Sequence, residues 1–362
     1  MTTTMQDPSP VMRAALRPLA SPAAWAPGQM AGATRWTHVL DADDIADLDR
    51  VVARAQALAV DIRALRREDA AMPVLGPRLA RIREDLIHGR GFALLRGMPL
   101  DRMDRWQTMV AYWAIGLHLG EPVSQNAKGH LIGHVKDIGH DYRTNTSHRA
   151  YQTHLEITPH TDSCDIVGLL CLRGAKTGGL NTVASSVSIY NAMVERCPEL
   201  AWELSQPVYF DRRGEVPEGK KPWYQLAIFN RTDDLLTTLY APRYLYIVER
   251  HPGVPPLTER RKAAYAMLDR LATDDEFRLD MDFRRGDVQL VFNHVILHSR
   301  TGYEDHEDPA LRRHLLRLWL SAPDCRPLPA SFEERYGPIV PGRRRGGITV
   351  PGMQETIPME AE

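Results

Sequence analysis

The chain has 362 residues, 43% of them hydrophobic and 25% charged, with a net charge of -1. That composition suits a soluble globular protein with a sizeable core, and a charge so near zero gives no reason to expect nucleic acid or an anionic membrane as partner. Cys164, Cys171, Cys197 and Cys325 show neither CxxC pairing nor framework spacing. No apolar run reaches the roughly 18 residues a membrane helix needs, and residues 1–7 lack the basic start of a signal peptide. The expectation is a cytoplasmic protein with free thiols.

Residues 1–35, rich in Pro, Ala, Ser and Gly, read as a poorly ordered tail that Trp25 and Trp36 can anchor. From Asp43 the pattern is helical, with Ile45, Leu48, Val52, Ala55 and Leu58 at three- and four-residue steps. A second helix is predicted over 77–88, opened by Pro77 and stopped by Gly89. A strand follows over 91–96. Asp101 is the expected cap of a third helix with the stripe Met103, Trp106, Val110, Trp113 and Leu117; that stripe reads as core, with a dimer contact in a homo-oligomer as the alternative.

After Gly120 the chain turns polar, and 123–149 reads as loop with short strands. Strands are predicted over 166–172, 182–186, 208–210, 244–248, 288–292 and 315–320, and helices over 187–196, after Pro198, and from the cap Thr258 through Leu271. The segment from Pro327, including Arg343-Arg344-Arg345-Gly346-Gly347, reads as a solvated surface stretch. Helices first, then many short strands, suggest one α+β domain on a β-sandwich or jelly roll, here 36–340, with 341–362 as a C-terminal tail.

Three His-x-acid triplets occur, at His154-Leu155-Glu156, His160-Thr161-Asp162 and His306-Glu307-Asp308. With 14 His and 46 acidic residues, about two are expected by chance, so the motif alone decides little. The last lies in a charged turn, and His154 reads as a wall or surface residue. His160-Thr161-Asp162 is favoured because residues i and i+2 of a strand face the same way. Two imidazoles and one carboxylate suit non-haem Fe(II) with positions left open, and His298, on an apolar stretch after the 288–292 strand, fits as third ligand. A lone His in such a run is more often structural. His130 and His134 lack the adjacent Glu of a zinc helix; His134, Asp137 and His140 are as well explained by loop polarity.

Four ordered features resemble the taurine dioxygenase (TauD/TfdA) family of Fe(II)- and 2-oxoglutarate-dependent dioxygenases. They are Pro159-His160-Thr161-Asp162; Gly178-Gly179-Leu180-Asn181-Thr182, like the family's Gly-Gly-x-Thr with one residue added; Phe292-Asn293-His294-Val295-Ile296-Leu297-His298; and the closing Arg312-Arg313-His314-Leu315-Leu316-Arg317. The resemblance implies a double-stranded β-helix (jelly-roll) core with flanking helices, Fe(II) on His160, Asp162 and His298, and 2-oxoglutarate and O2 as co-substrates. It implies that Arg317 and Thr182 hold the distal carboxylate of 2-oxoglutarate, with Arg313 as a supporting residue. An Arg on a buried strand needs such a partner. The implied reaction oxidises an unactivated C–H bond of a small-molecule substrate, releasing succinate and CO2. Hydroxylation is expected, with desaturation, cyclisation or oxidative cleavage as alternatives. Asp162 in the ligand position argues against halogenation, and the intact co-substrate residues argue against a non-catalytic metal-binding jelly roll. The substrate is expected to be a small amino acid or carboxylic acid, touched by Gln125, Asn126, Glu156 (toward an amine) and Arg212 of the pair Arg212-Arg213.

Overall fold

A computed structural model describes residues 16–142 and 148–362. Two antiparallel-dominated sheets face one another. The larger runs in the order Thr37–Val39, Phe92–Arg96, Val288–Phe292, Ile166–Arg173 and His314–Ser321, and the last strand also pairs with Glu121–Val123 and Ile132–Val135. The smaller contains Arg278–Met281, Asn181–Ser185, Ile296–Arg300 and Ile157–His160. This is the expected jelly roll. Val288–Phe292 and His314–Ser321 are buried along their whole length, which is why they appear in the sequence as continuous apolar runs rather than alternating ones.

The helix Ala42–Leu58 is capped by Asp41, whose carboxylate accepts from the Asp43 and Asp44 amides. Leu75–His88 and Arg105–Leu119 follow. The cap of the last is Asp104 rather than Asp101, and it forms the reciprocal capping box with Gln107. This helix lies close on the large sheet at Gly116, where a Cβ would stand 2.3 Å from Leu318 Cδ2. Its Trp113 is buried and Trp106 packs on the core, so the stripe faces inward. Ser186–Arg196, Pro198–Leu204 and Glu259–Thr273 pack beside the small sheet, the last capped by Thr258 as expected. The stretch expected as a strand over 244–248 is instead helical, Pro242–Tyr246 running into Ile247–Arg250; Pro242 opens that turn.

Both presumed tails pack. From Leu16 onward the N-terminal segment is ordered against the protein: Leu16, Leu19, Ala23 and Trp25 are buried, and Trp25 Nε1 donates to Arg90 O at 2.8 Å. Residues 1–15 lie outside the described residues. The Arg-Gly-Gly stretch near the C-terminus is not a solvated surface segment either. Arg345 is 2% exposed and its guanidinium grips the Asp165 carboxylate, with Arg345 Nε 3.0 Å from Oδ2. The Gly347 amide donates to Ser163 O at 2.7 Å and Ile348 N to Ser124 O at 2.8 Å. The C-terminal segment therefore straps the loop after the strand Ile157–His160. All four cysteines are free and buried, and no described helix is long and apolar enough to cross a membrane.

Candidate metal centre and cavity

Ile157–His160 and Ile296–Arg300 are antiparallel neighbours, with His160 directly opposite His298. Opposed residues share a face, and the two imidazoles come to 4.3 Å between centroids. His160 Nδ1 lies 2.9 Å from Thr158 O. Only a protonated nitrogen can donate there, so the Nε2 lone pair is turned toward the centre.

Asp162 completes the group, but not through strand alternation. The strand ends at His160, and Asp162 sits in the turn beyond. What fixes it is a set of donors from elsewhere. Its amide donates to Asn293 Oδ1 at 3.1 Å, Asn293 Nδ2 reaches Cys164 O at 3.0 Å, and Trp319 Nε1 donates to Asp162 Oδ2 at 2.9 Å. His160 Nε2 is 3.8 Å from Asp162 Oδ1 and His298 Nε2 is 3.7 Å from Oδ2.

These distances are too long for hydrogen bonds. They match ligands that each stand roughly 2 Å from one ion, and the three ligand atoms lie within 4.8 Å of one another. Two imidazoles and one carboxylate fit Fe(II). The electrostatics agree. Burial and the neighbouring His298 push the His160 imidazole down to about 4, keeping it neutral and able to ligate. Burial alone would raise Asp162, but Arg317 and His298 outweigh it and hold the carboxyl well below the usual carboxylate range.

Arg317 on the last strand and Arg313 just before it occupy different places. Arg317 stands at the metal group, its Nη1 3.5 Å from Asp162 Oδ2 and its Nε donating to Gln125 Oε1 at 2.7 Å. Arg313 is 2% exposed and donates through Nη2 to Asn181 Oδ1 at 3.3 Å. Its Nη1 is buried with no hydrogen-bond partner among the described residues. Arg300 is buried beside it, and both guanidinium groups lie on the Tyr303 ring, at 4.7 and 5.2 Å. Burial lowers both arginines.

Thr182 faces away from this group. Its strand pairs Val183 with His298 and Thr182 with Ser299, so Thr182 points to the opposite face and its hydroxyl bonds Ser299 Oγ. Asn181 points inward, bonding Gln289 Oε1 at 2.9 Å across the sheets. The residue in Gly-Gly-x register is therefore Asn181, and reading an added residue before Thr182 missed it.

A cavity of about 150 Å3 opens beside His160 and Asp162. Gln125 lines it, but its amide is spent on Arg317 and on the Leu131 and Arg317 carbonyls. The other three expected contacts lie off the wall. Asn126 closes the turn to Lys128 and His130, Glu156 is exposed, and Arg212 pairs with Glu334 at 2.7 Å and lies over Tyr224. Arg213 does line the cavity, because its left-handed backbone (φ 53°) turns it opposite to Arg212. Arg149, Arg243, Arg335 and the C-terminal Ile348 also line it. These wall residues are scattered over 200 positions of loop and short helix, with no local pattern to announce them.

A jelly roll that brings two histidines and an aspartate together beside a cavity is the arrangement of non-haem Fe(II) oxygenases, and the family to which the chain belongs is one of Fe(II)- and 2-oxoglutarate-dependent oxygenases. The chain belongs to the taurine catabolism dioxygenase TauD, TfdA family, whose model matches residues 61–319. It is 34% identical to FR-33289 synthase of Streptomyces rubellomurinus over 89% of this chain and 96% of that one. It is 28% identical to a uridine-5'-phosphate dioxygenase of Amycolatopsis sp over 66% of this chain and 87% of the relative. Among solved structures, an asparagine oxygenase complexed with Fe(II), hydroxyasparagine and succinate shares the fold, with a TM-score of 0.59, 20% identity, and coverage of 82% of this chain and 98% of that one.

Proposed function

We propose that His160, Asp162 and His298 hold Fe(II), that Arg313 with Asn181 receives the distal carboxylate of 2-oxoglutarate, and that the enzyme hydroxylates a C–H bond of a small anionic molecule in the adjoining cavity. The observation that carries this reading is the pairing of an open, neutral-imidazole ligand group with a buried guanidinium that lacks a partner for one of its nitrogens. A buried arginine left half-satisfied is costly, and a carboxylate is the group that relieves it. Arg317 suits that task less well than the sequence suggests. It is already held by Gln125 and Asp162, and it stands at the ligands themselves rather than a carbon chain's length away.

With iron and 2-oxoglutarate bound, oxidative decarboxylation supplies the oxidant for C–H cleavage. The chain's own residues do the positioning. Thr158 O fixes the His160 tautomer, Asn293 and Trp319 fix the Asp162 carboxylate, and Arg317 keeps that carboxylate ionised. One relative's name gives a phosphate ester, uridine-5'-phosphate, as its substrate, and FR-33289 synthase carries no substrate in its name, so kinship alone leaves the substrate's head group open.

The test is anaerobic addition of Fe(II) and then 2-oxoglutarate, watching for the weak visible charge-transfer band of the chelate. The band is expected in the native protein, lost in His298→Ala, and formed only at much higher 2-oxoglutarate in Arg313→Gln. Bound iron without a band would overturn the proposal.

A further inference from the structure

Among the described residues the cavity wall carries five guanidinium groups, from Arg149, Arg213, Arg243, Arg317 and Arg335, and one carboxylate, that of Asp162. Glu215, which pairs with Arg149, is not on that wall. Three of the five gather around one tyrosine. Arg149 Nη1 donates to Tyr244 Oη at 3.1 Å, the Arg213 guanidinium lies 5.4 Å above the Tyr244 ring, and Arg243 is its chain neighbour. Arg243 in turn lies 4.6 Å over the Tyr142 ring. The aromatic faces hold these planar groups in place; Arg149 is in addition paired with Glu215, and Arg213 donates to His148 O. Burial lowers Arg213 and Arg243, with a neighbouring arginine as a smaller lowering cause in each.

Such a wall does not suit the ammonium of an amino acid. Glu156, the carboxylate expected to receive an amine, is exposed and not on the wall, and an ammonium would meet guanidinium groups instead. A carboxylate offers one unit of charge and two oxygens, enough for one guanidinium fork. A phosphoryl group offers about −1.5 to −2 charge and three strong acceptor oxygens at neutral pH, and clustered arginines are the usual means of recognising it. Resting on the assignment of this cavity as the substrate site, we infer that the substrate carries a phosphoryl head group, as a phosphonate or a phosphate monoester, docked on Arg149, Arg213 and Arg243 with its reacting carbon turned toward His160 and Asp162.

Calorimetric titrations on both the metal-free chain and the anaerobic Fe(II)·2-oxoglutarate enzyme test this, using propylphosphonate, propyl phosphate, propanesulfonate, butyrate and norvaline as probes. The two phosphoryl compounds are expected to bind at least about tenfold tighter than the other three, and which of the two binds tighter identifies the source. Arg213→Gln and Arg243→Gln should each weaken phosphoryl binding about tenfold or more, the range of one charge-assisted bond, while leaving the 2-oxoglutarate band unchanged. Equal binding of all head groups, preference for norvaline, or phosphoryl binding indifferent to both variants would overturn the inference. Because the metal-free titration reads the arginines without iron, a missing band with intact phosphoryl selectivity would count against the oxygenase reading only, and a normal band without selectivity against the head-group inference only. Arg243 is half-buried at the rim, so its variant keeps the test valid should Arg213→Gln fail to fold.

Discussion

Asp162 and Asp165 lie three residues apart in one loop, both buried, and each is held by histidine and arginine. Their surroundings differ in one respect. Asp165 is saturated: His294 Nε2 at 2.7 Å, the Ala322 amide at 2.7 Å and the Arg345 fork at 3.0 Å occupy its oxygens. Asp162 has one close side-chain donor, Trp319, while His160, His298 and Arg317 stand off at 3.5 to 3.8 Å. The same residue types thus build a structural clamp where every lone pair is used, and a binding site where a gap the size of an ion is kept open. Saturation, not composition, separates the two. Asp165 also ties the metal loop to the His294 turn before Ile296–Arg300 and to the C-terminal strap, so the clamp supports the site it adjoins.

The largest effect should come from closing this difference at the site. Asp162→Asn leaves the loop's backbone bonds in place but removes the charged ligand, and turnover and the 2-oxoglutarate band should be abolished while thermal unfolding of the metal-free protein shifts little. Asp165→Asn should do the reverse. It strands a buried arginine and unfastens the His294 contact, which typically costs about 3–5 kcal/mol, read as a lowered denaturant midpoint with an unchanged m-value. Next in size is Asn293→Ala. Asn293 joins the two halves of the loop and is not one of the three proposed ligands, and loss of a residue that orients a ligand costs roughly 10–100-fold in metal affinity, measured by Fe(II) titration on protein that still melts cooperatively. The Arg313 and Arg317 pair sharpens the comparison further. Arg313→Gln should raise the 2-oxoglutarate needed for half-maximal band about 10–100-fold, whereas Arg317→Gln should chiefly shift the band's position, because its guanidinium acts on the ligand Asp162. The opposite pattern would return the co-substrate clamp to Arg317.

Much of this was legible in the chain because strands and ligands leave local signals. Continuous apolar runs marked Val288–Phe292 and His314–Ser321, and the ordered motifs drew attention to His160, Asp162 and His298, although the strand alternation expected to place Asp162 does not hold because the strand ends at His160. What stayed hidden was set by contacts between distant segments. Arg345 reads as a solvated tail residue because its partner Asp165 is 180 positions away. Asn181 and Thr182 differ only in which face of one strand they take, and the register against His298 decides that, not their identity. Arg212 and Arg213 are adjacent and chemically identical, yet one left-handed backbone turn sends one to Glu334 and the other to the cavity. Gln125, read as a substrate contact, lines the cavity and also braces Arg317.

The smallest expected effect concerns a third buried histidine arrangement, away from the metal. His134 Nε2 lies 2.9 Å from Pro358 O, so it donates there, and His134 Nδ1, 2.7 Å from His314 Nε2, must then accept. Both rings are therefore neutral, and the pair joins Ile132–Val135 to His314–Ser321 and to the C-terminal segment. Burial, followed by the nearby His134, pushes His314 down to about 2, and burial likewise lowers His134. A histidine whose folded value lies below its unfolded value of about 6.5 binds its proton more readily when unfolded. Its stabilising contribution is full above pH 6.5 and declines as pH falls from there toward the folded value. Each such group should cost on the order of 1 kcal/mol per pH unit in that window. Chemical denaturation of the metal-free protein at pH 7.5, 6.5, 5.5 and 5.0 should show the decline, and His314→Gln, which can still donate to His134 but cannot titrate, should flatten its slope. An unchanged slope in the variant would place the acid sensitivity at other buried histidines, and suppression of it by added metal would single out His160 among them.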